Sequence, residues 1–292
     1  MDLEEREKDN KEENLENNFL FLFFMKFLLI TETLSPNFES NLIKELKNLG
    51  IEVDVLELSS VKKIRYKKYD LVYSRIMQKF GFLGYYVSKA FEIRGCKFVD
   101  PVEKIFSCQN KFLSYQLLKN KIPLPETELL LPKAKPKLNK IKVVKPIFGR
   151  AGYLVYKINK YSPKLLTLYL RRKLNHYLTY PFIIQEYVEF ERLIRVCVLN
   201  KKPIFAITSR KKSWRDAIYK NAEKYEFDEK LLNYSKIAAK EFGLRIAFLD
   251  FFKVKDDYIF NELNYCCDLP KINNLLGYNF HRKVAKFFIK LV

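Results

Sequence analysis

The order of strand-like and helix-like segments changes at Pro101, and this change constrains the fold more than any other feature of the chain. Upstream, the two periods alternate. An apolar run at 26–31 precedes a helix in which Leu42, Ile43, Leu46 and Leu49 share one face, with Asn37 as its expected cap and Gly50 as its stop. An alternating strand at 51–56 and a short one at 69–73 follow, then a helix from about Leu83 to Gly95 and a return strand at 96–100. This order predicts a small open α/β unit with right-handed crossovers.

Downstream, a helix running to about Lys121 leads into a proline-stiffened connector, Ile122-Pro123-Leu124-Pro125-Glu126-Thr127. Beyond it strand follows strand, at 141–146, 152–156, 182–188, 193–199, 203–209, 246–254 and 258–263, with helices at 163–175, 228–242 and 279–291. Strands joined without crossovers pair antiparallel, so this half reads as α+β. The expected domains are 25–103, 104–180 and 181–292, with no internal repeat.

Residues 1–24 stand apart. They begin acidic and Asn-rich and end in Phe19-Leu20-Phe21-Leu22-Phe23-Phe24, with neither the basic start nor the small-residue cleavage site of a signal peptide. The apolar run to Ile30 is broken by Lys26 and falls short of the about 20 residues that span a bilayer. Two readings remain, a disordered leader or a mis-assigned start, and the clean opening at Met25 favours the second. Five cysteines without a CxxC pair point to reduced thiols and a cytoplasmic protein. A formal net charge of +20, spread through patterned elements, suits acidic partners: nucleic acid, an anionic surface, or molecules bearing phosphate or carboxylate.

Two constellations carry chemistry. Leu249-Asp250-Phe251 and Phe260-Asn261-Glu262-Leu263-Asn264 are apolar strands with polar insertions, and Glu262 and Asn264, two apart, share a face. If the strands pair through a turn at Lys255-Asp256-Asp257, Asp250 reaches that face. Two carboxylates and an amide oxygen suit Mg²⁺, a hard cation held by one or two carboxylates and nucleotide phosphates; a polar outer face of an ordinary hairpin is the alternative. The second is Val143-Val144-Lys145-Pro146-Ile147-Phe148-Gly149-Arg150-Ala151-Gly152, in which a lysine leaves a buried strand into a two-glycine loop. An ammonium and free backbone N–H groups suit phosphate, although the pattern matches neither dinucleotide-binding nor P-loop motifs.

With Lys111 and Gln185-Glu186-Tyr187-Val188, these motifs resemble the ATP-grasp superfamily, and within it the RimK-like carboxylate–amine ligases, over about residues 26–292 in order. The resemblance implies an α/β N-terminal domain followed by an α+β ATP-grasp fold, two lobes with ATP between them. It implies that Lys111 and Lys145 contact ATP phosphates beneath a flap at 148–152 containing Gly149 and Gly152. It further implies that Gln185, Glu186, Tyr187 and Val188 form the adenine-binding hinge, and that Asp250, Glu262 and Asn264 hold Mg²⁺, with Mn²⁺ as a substitute. Arg195 falls in the family's D-I-R segment, while Arg210 and Arg215 fall where its basic residues face phosphate and the acyl-phosphate. The chain departs from the pattern at Leu193, where the family has a ribose-holding Asp and Glu191 is the candidate substitute. It departs again at Ala217, at Asn221-Ala222 and over 265–270.

The expected activity is ATP-dependent ligation of a carboxylate, activated as an acyl-phosphate, to an amine such as that of glutamate. The acceptor would be a small molecule or a peptide, and assembly with further copies stays open. A non-catalytic nucleotide-binding protein and a basic nucleic-acid-binding protein are the rival readings; no nucleic-acid motif supports the latter, and neither a membrane nor nucleic acid is an expected partner. Cys266 and Cys267 read as packed small residues, His176 and His281 as surface residues, and Trp214 equally as ligand stack or packing anchor.

Overall fold

The computed structural model describes residues 25–76, 81–130, 139–149, 155–159, 182–210 and 222–292. The leader at 1–24, the helix at 163–175, His176, Trp214 and the departures at 217 and 221 lie outside the described residues. Contacts divide the chain into two compact units: one takes residues up to Val102 together with Asp268–Val292, the other is Glu103–Cys267.

The first unit opens with β1 (Lys26–Thr31), α1 (Glu39–Asn48), β2 (Glu52–Glu57), β3 (Leu71–Arg75) and α2 (Gly81–Ile93). The second contains α3 (Val102–Gln109), α4 (Lys111–Leu118), β4 (Thr127–Leu130), β5 (Lys142–Pro146), β6 (Tyr156–Ile158), β7 (Phe182–Glu186), β8 (Arg192–Leu199) and β9 (Lys202–Arg210). It continues with β10 (Glu223–Tyr225), α5 (Glu229–Phe242), β11 (Ile246–Val254) and β12 (Asp257–Asn264), before α6 (Ile272–Leu276) and α7 (Phe280–Ile289) return to the first.

In the first unit the strands run parallel in the order β2-β1-β3. Parallel sheets are covered on both faces, and the residues of β1 divide accordingly. Leu28 and Ile30 pack with Val72, Val87 and Phe91, while Phe27 stacks on Phe288 at 6.0 Å between ring centroids, with Tyr73 4.8 Å from the same ring. The segment expected as a return strand at 96–100 contributes a single parallel bridge, Val72 to Phe98.

The C-terminal lobe expected over 181–292 is corrected by these contacts: residues 268–292 belong to the first unit. Phe280, Val284, Ala285 and Phe288 form a buried stripe on α7, and β1, β3 and α1 supply its apolar partner. The same stripe corrects His281, which is 2% exposed and lies edge-on to Phe38 at 5.4 Å. Asn37 does not cap α1. Its side-chain amide donates to Asp268 at 2.6 Å, and the helix starts after Phe38 without a side-chain cap.

In the second unit the expected antiparallel pairing holds throughout the described strands. One sheet has four strands, β4-β7-β5-β6, and the other five, β10-β9-β8-β11-β12. The single helix expected to Lys121 is two, because the Asn110 side chain accepts from the Leu113 N–H at 3.1 Å and restarts the helix. The end of the connector pairs with β7 as β4, and β10 and α6 are further elements that periodicity did not reveal.

β11 and β12 join through a tight turn with Lys255 at φ 50°. Their register slips once: Asp250 faces Glu262 but Phe251 faces Phe260, so Asn261 is the extra residue of a β-bulge.

Candidate active site

Five elements of the second unit bring the charged residues together. The N–H of Lys111, the first residue of α4, donates to the carbonyl of Ile147 at 2.8 Å, which ties that helix to the chain leaving β5. Lys145 stands near the end of β5, where Val144 and Pro146 are also buried. Arg195 and Asp250 face each other across β8 and β11, and Glu262 lies opposite Asp250 on β12.

Asp250, Glu262 and Asn264 converge. The Asn264 amide nitrogen lies 3.1 Å from Asp250 Oδ2 and 3.2 Å from Glu262 Oε1. An N–H group thus sits between two carboxylates, where a cation would be favoured. A half-turn of the amide presents Oδ1 in its place, giving the all-oxygen donor set that suits a hard divalent ion. The residues therefore fit magnesium. Among the described residues no cluster of three His, Cys, Asp or Glu side chains exists, so two carboxylates and an amide are the extent of the set.

The cations around this focus are held in different ways. Arg195 grips Asp250 through two bonds of 2.7 Å, from Nε and Nη2. Lys111 Nζ donates to the Gly149 carbonyl at 2.6 Å and lies 3.6 Å from Glu262 Oε2. Among the described residues Lys145 Nζ has only neutral oxygens within bonding range, Tyr115 Oη at 3.3 Å and Asn261 Oδ1 at 3.5 Å. Burial pushes Lys145 down to about 8, with the Glu262 charge opposing. Lys111 is lowered by burial as well, against the pull of Glu262. Burial would raise Glu262, but Lys111 and Lys145 outweigh it and hold this carboxylate below its ordinary range. Asp250 is pushed up by burial, with Arg195 opposing.

The remaining expected residues do not share one position. Gly149 lies against the site through its carbonyl, and a Cβ there would come within 2.7 Å of Pro146 Cγ, so this close approach requires glycine. Gln185 is buried and donates to Thr127 Oγ1 at 2.8 Å. Glu186 N–H donates to the Glu126 carbonyl and Tyr187 N–H to that of Ile141, after which the chain leaves the sheet through Val188. Lys157 lies over the Tyr187 ring at 3.7 Å. Glu191 accepts from the Lys255 N–H at 3.1 Å and so braces the β11–β12 turn, while Leu193 is buried. Arg210 ends β9, opposite Arg192. Gly152 and Arg215 lie outside the described residues, as does the flap beyond Gly149. Cys267 is buried and Cys266 half-buried, in keeping with a packed loop.

Sequence reasoning did not single out Tyr115 or Asn261 as site residues. Tyr115 follows Lys111 by one helical turn, a spacing that places both on one side of α4. Asn261 carries no signal in the sequence pattern, because the bulge at which it sits leaves the apolar alternation unchanged.

A RimK-like ATP-grasp domain matches residues 108–288. The chain is 25% identical over 285 residues to the coenzyme gamma-F420-2:alpha-L-glutamate ligase of Methanocaldococcus jannaschii, covering 88% of this chain and 96% of that protein. Among solved structures, D-alanine–D-alanine ligase from Bacillus anthracis superposes with a TM-score of 0.68 at 16% identity, over 91% of this chain and 96% of that one. The ATP-grasp ligase PsnB, complexed with minimal precursor, Mg and ADP, gives 0.61 at 16% identity, over 90% and 97%. These likenesses agree with the converging lysines and oxygen donors: the chain belongs to the RimK-like ATP-grasp family and is an ATP-dependent carboxylate–amine ligase.

Proposed function

We propose that this ligase adds an amino acid, glutamate or one close to it, through its amino group to the carboxylate of a small molecule or peptide. The convergence of Lys111, Lys145, Asp250, Glu262 and Asn264 in the second unit carries the reading of the site. The glutamate ligase relative and the basic charge of the chain support an acidic substrate. In this reading Lys145 meets phosphate oxygens with its charge unspent, since among the described residues neutral oxygens hold it. Lys111 draws the Gly149 segment toward the phosphates through its carbonyl bond. Arg210, Arg215 and Gly152 complete the phosphate and flap contacts, and Gln185 to Val188 and Glu191 serve adenine and ribose.

Asp250, Glu262 and Asn264 would hold magnesium, with manganese as an alternative. When bound, the ion neutralises charge on the phosphate oxygens. Chemistry then consists of positioning and charge neutralisation: the carboxylate takes the γ-phosphoryl group, and the amine displaces phosphate. No side-chain nucleophile is required.

The decisive experiment is an ATP-dependent ligation screen over amino acids and carboxylate acceptors, scored by the mass gained by the acceptor. Glutamate addition with stoichiometric phosphate release is expected. ATP with magnesium should also raise the melting temperature, by about 2.7 kcal/mol of linkage at a hundredfold excess over Kd. Lys145→Ala should remove most of that shift. An unchanged shift would place the phosphates elsewhere.

A further inference from the structure

Tyr115 reaches the bulge in β12, an edge strand that steps out of register with β11 at Asn261. The Tyr115 hydroxyl, reaching across from α4, donates to the Asn261 carbonyl. One phenol has one proton to give, so its oxygen faces its other neighbours as an acceptor. Those neighbours are Lys145 Nζ at 3.3 Å and the Gln185 side chain. The Asn261 side chain, turned to the same side by the bulge, supplies the second oxygen near Lys145, at 3.5 Å. The ring packs edge-on to Phe260 at 6.0 Å, and the Lys145 ammonium lies 5.5 Å from its centroid. Burial pushes the phenol well above its ordinary value, which favours the neutral donor form.

We propose that Tyr115 is a positioning residue of the ligase, a neutral clamp that fixes the β12 bulge and aims the Lys145 ammonium without neutralising it. A carboxylate in its place would form an ion pair with the lysine and compete with phosphate. A phenylalanine would remove the donor to the Asn261 carbonyl and leave the lysine, among the described residues, with Asn261 Oδ1 as its one acceptor. The clamp also links α4, β5, β7 and β12 through one oxygen, so the lysine and the Glu262 neighbourhood are held in a common frame. This inference rests on the assignment of Lys145 to the phosphates, and its test separates the two.

The experiment compares wild type, Tyr115→Phe, Asn261→Ala and Lys145→Ala in the full chain, measuring Kd for adenosine and for magnesium–ATP, and kcat. Tyr115→Phe keeps the ring and its packing, so adenosine affinity should stay within about twofold. Its Kd for magnesium–ATP should rise five- to tenfold and kcat fall at least tenfold. Asn261→Ala leaves the phenol–carbonyl bond in place, and it should move the same two quantities in the same direction by less. A Tyr115→Phe protein with wild-type ATP affinity and kcat overturns the proposal, as does an equal loss of adenosine and ATP affinity, which would mark a purely structural role. If Tyr115→Phe fails to fold, Asn261→Ala decides: an unchanged preference for ATP over adenosine refutes the clamp. Wild-type ATP affinity in Lys145→Ala refutes the phosphate assignment itself.

Discussion

Two regions of this chain bury ion pairs, and they do so to different ends. In the first unit Arg75 and Glu39 have side chains with no exposure, joined by an Nε–Oε1 bond of 2.9 Å, with the guanidinium 3.9 Å above the Phe38 ring. Thr31 adds its hydroxyl to the same oxygen at 3.4 Å. In the second unit Arg195 and Asp250 make a tighter, bidentate pair, yet it stands among Lys111, Lys145 and Glu262, the last with a quarter of its side chain exposed. The first pair sits within packing; the second backs a half-open charged focus. Burial of an ion pair alone therefore does not mark a catalytic site. What marks it is further charge beside the pair, held by neutral groups and left available.

The largest effect should come from Glu262→Gln. The shape is kept, but the carboxylate facing Lys111 and Asn264 is lost, so turnover should drop by about a thousandfold, or ~4 kcal/mol. ATP affinity should change far less. Steady-state kinetics beside ATP titration measures the split, and equal losses in both would make Glu262 a binding residue only.

The two arginines give the sharpest contrast. Arg75→Met or Arg195→Met leaves a buried carboxylate uncompensated, and each should cost about 3–5 kcal/mol in chemical denaturation. Replacing both partners at once should differ between the regions. Arg75→Met with Glu39→Leu should recover most of the stability and retain ligation. Arg195→Met with Asp250→Leu should also recover stability but abolish turnover. Ligation surviving in the second double variant would collapse the distinction drawn above.

The legibility of the sequence follows the same division between regular and irregular backbone. Alternation correctly put Glu262 and Asn264 on one face with Asp250, because period two holds over those strand segments. It gave no sign of the bulge one residue earlier, since a bulge adds a residue without any change in apolar pattern, so Asn261 was not singled out. His281 was misread from its basic neighbours Arg282 and Lys283, although its helical spacing to Val284, Ala285 and Phe288 already put it on the buried face. The helix break at Asn110 was visible as a capping residue ahead of an apolar run, but the run on both sides of it masked the signal. That 268–292 belong to the first unit is a tertiary fact: the stripe on α7 predicts a partner without naming it.

The smallest expected effect tests the quiet region. His281 Nδ1 lies 3.2 Å from Asn273 Oδ1, its ring packs on Phe38, and Nε2 has no partner among the described residues. Burial lowers its pKa to about 4, and Arg75 adds repulsion, while Glu45 and Asp268 pull the other way. The unfolded chain therefore takes up a proton below about pH 6.5 that the folded chain refuses until about pH 4. Protons bound by the unfolded state alone destabilise the fold, so stability should fall as the pH drops through this window, by at most about 1.4 kcal/mol per pH unit from this group. Carboxylates titrate near the lower end of the window, which makes the wild-type slope alone ambiguous. His281→Leu keeps the apolar contacts with Phe38 and removes the proton site, so urea denaturation at pH 7.0, 6.0 and 5.0 should show a shallower decline in the variant. Parallel declines would mean that the ring titrates equally in the folded and unfolded chains, and that burial and Arg75 together do not lower its pKa.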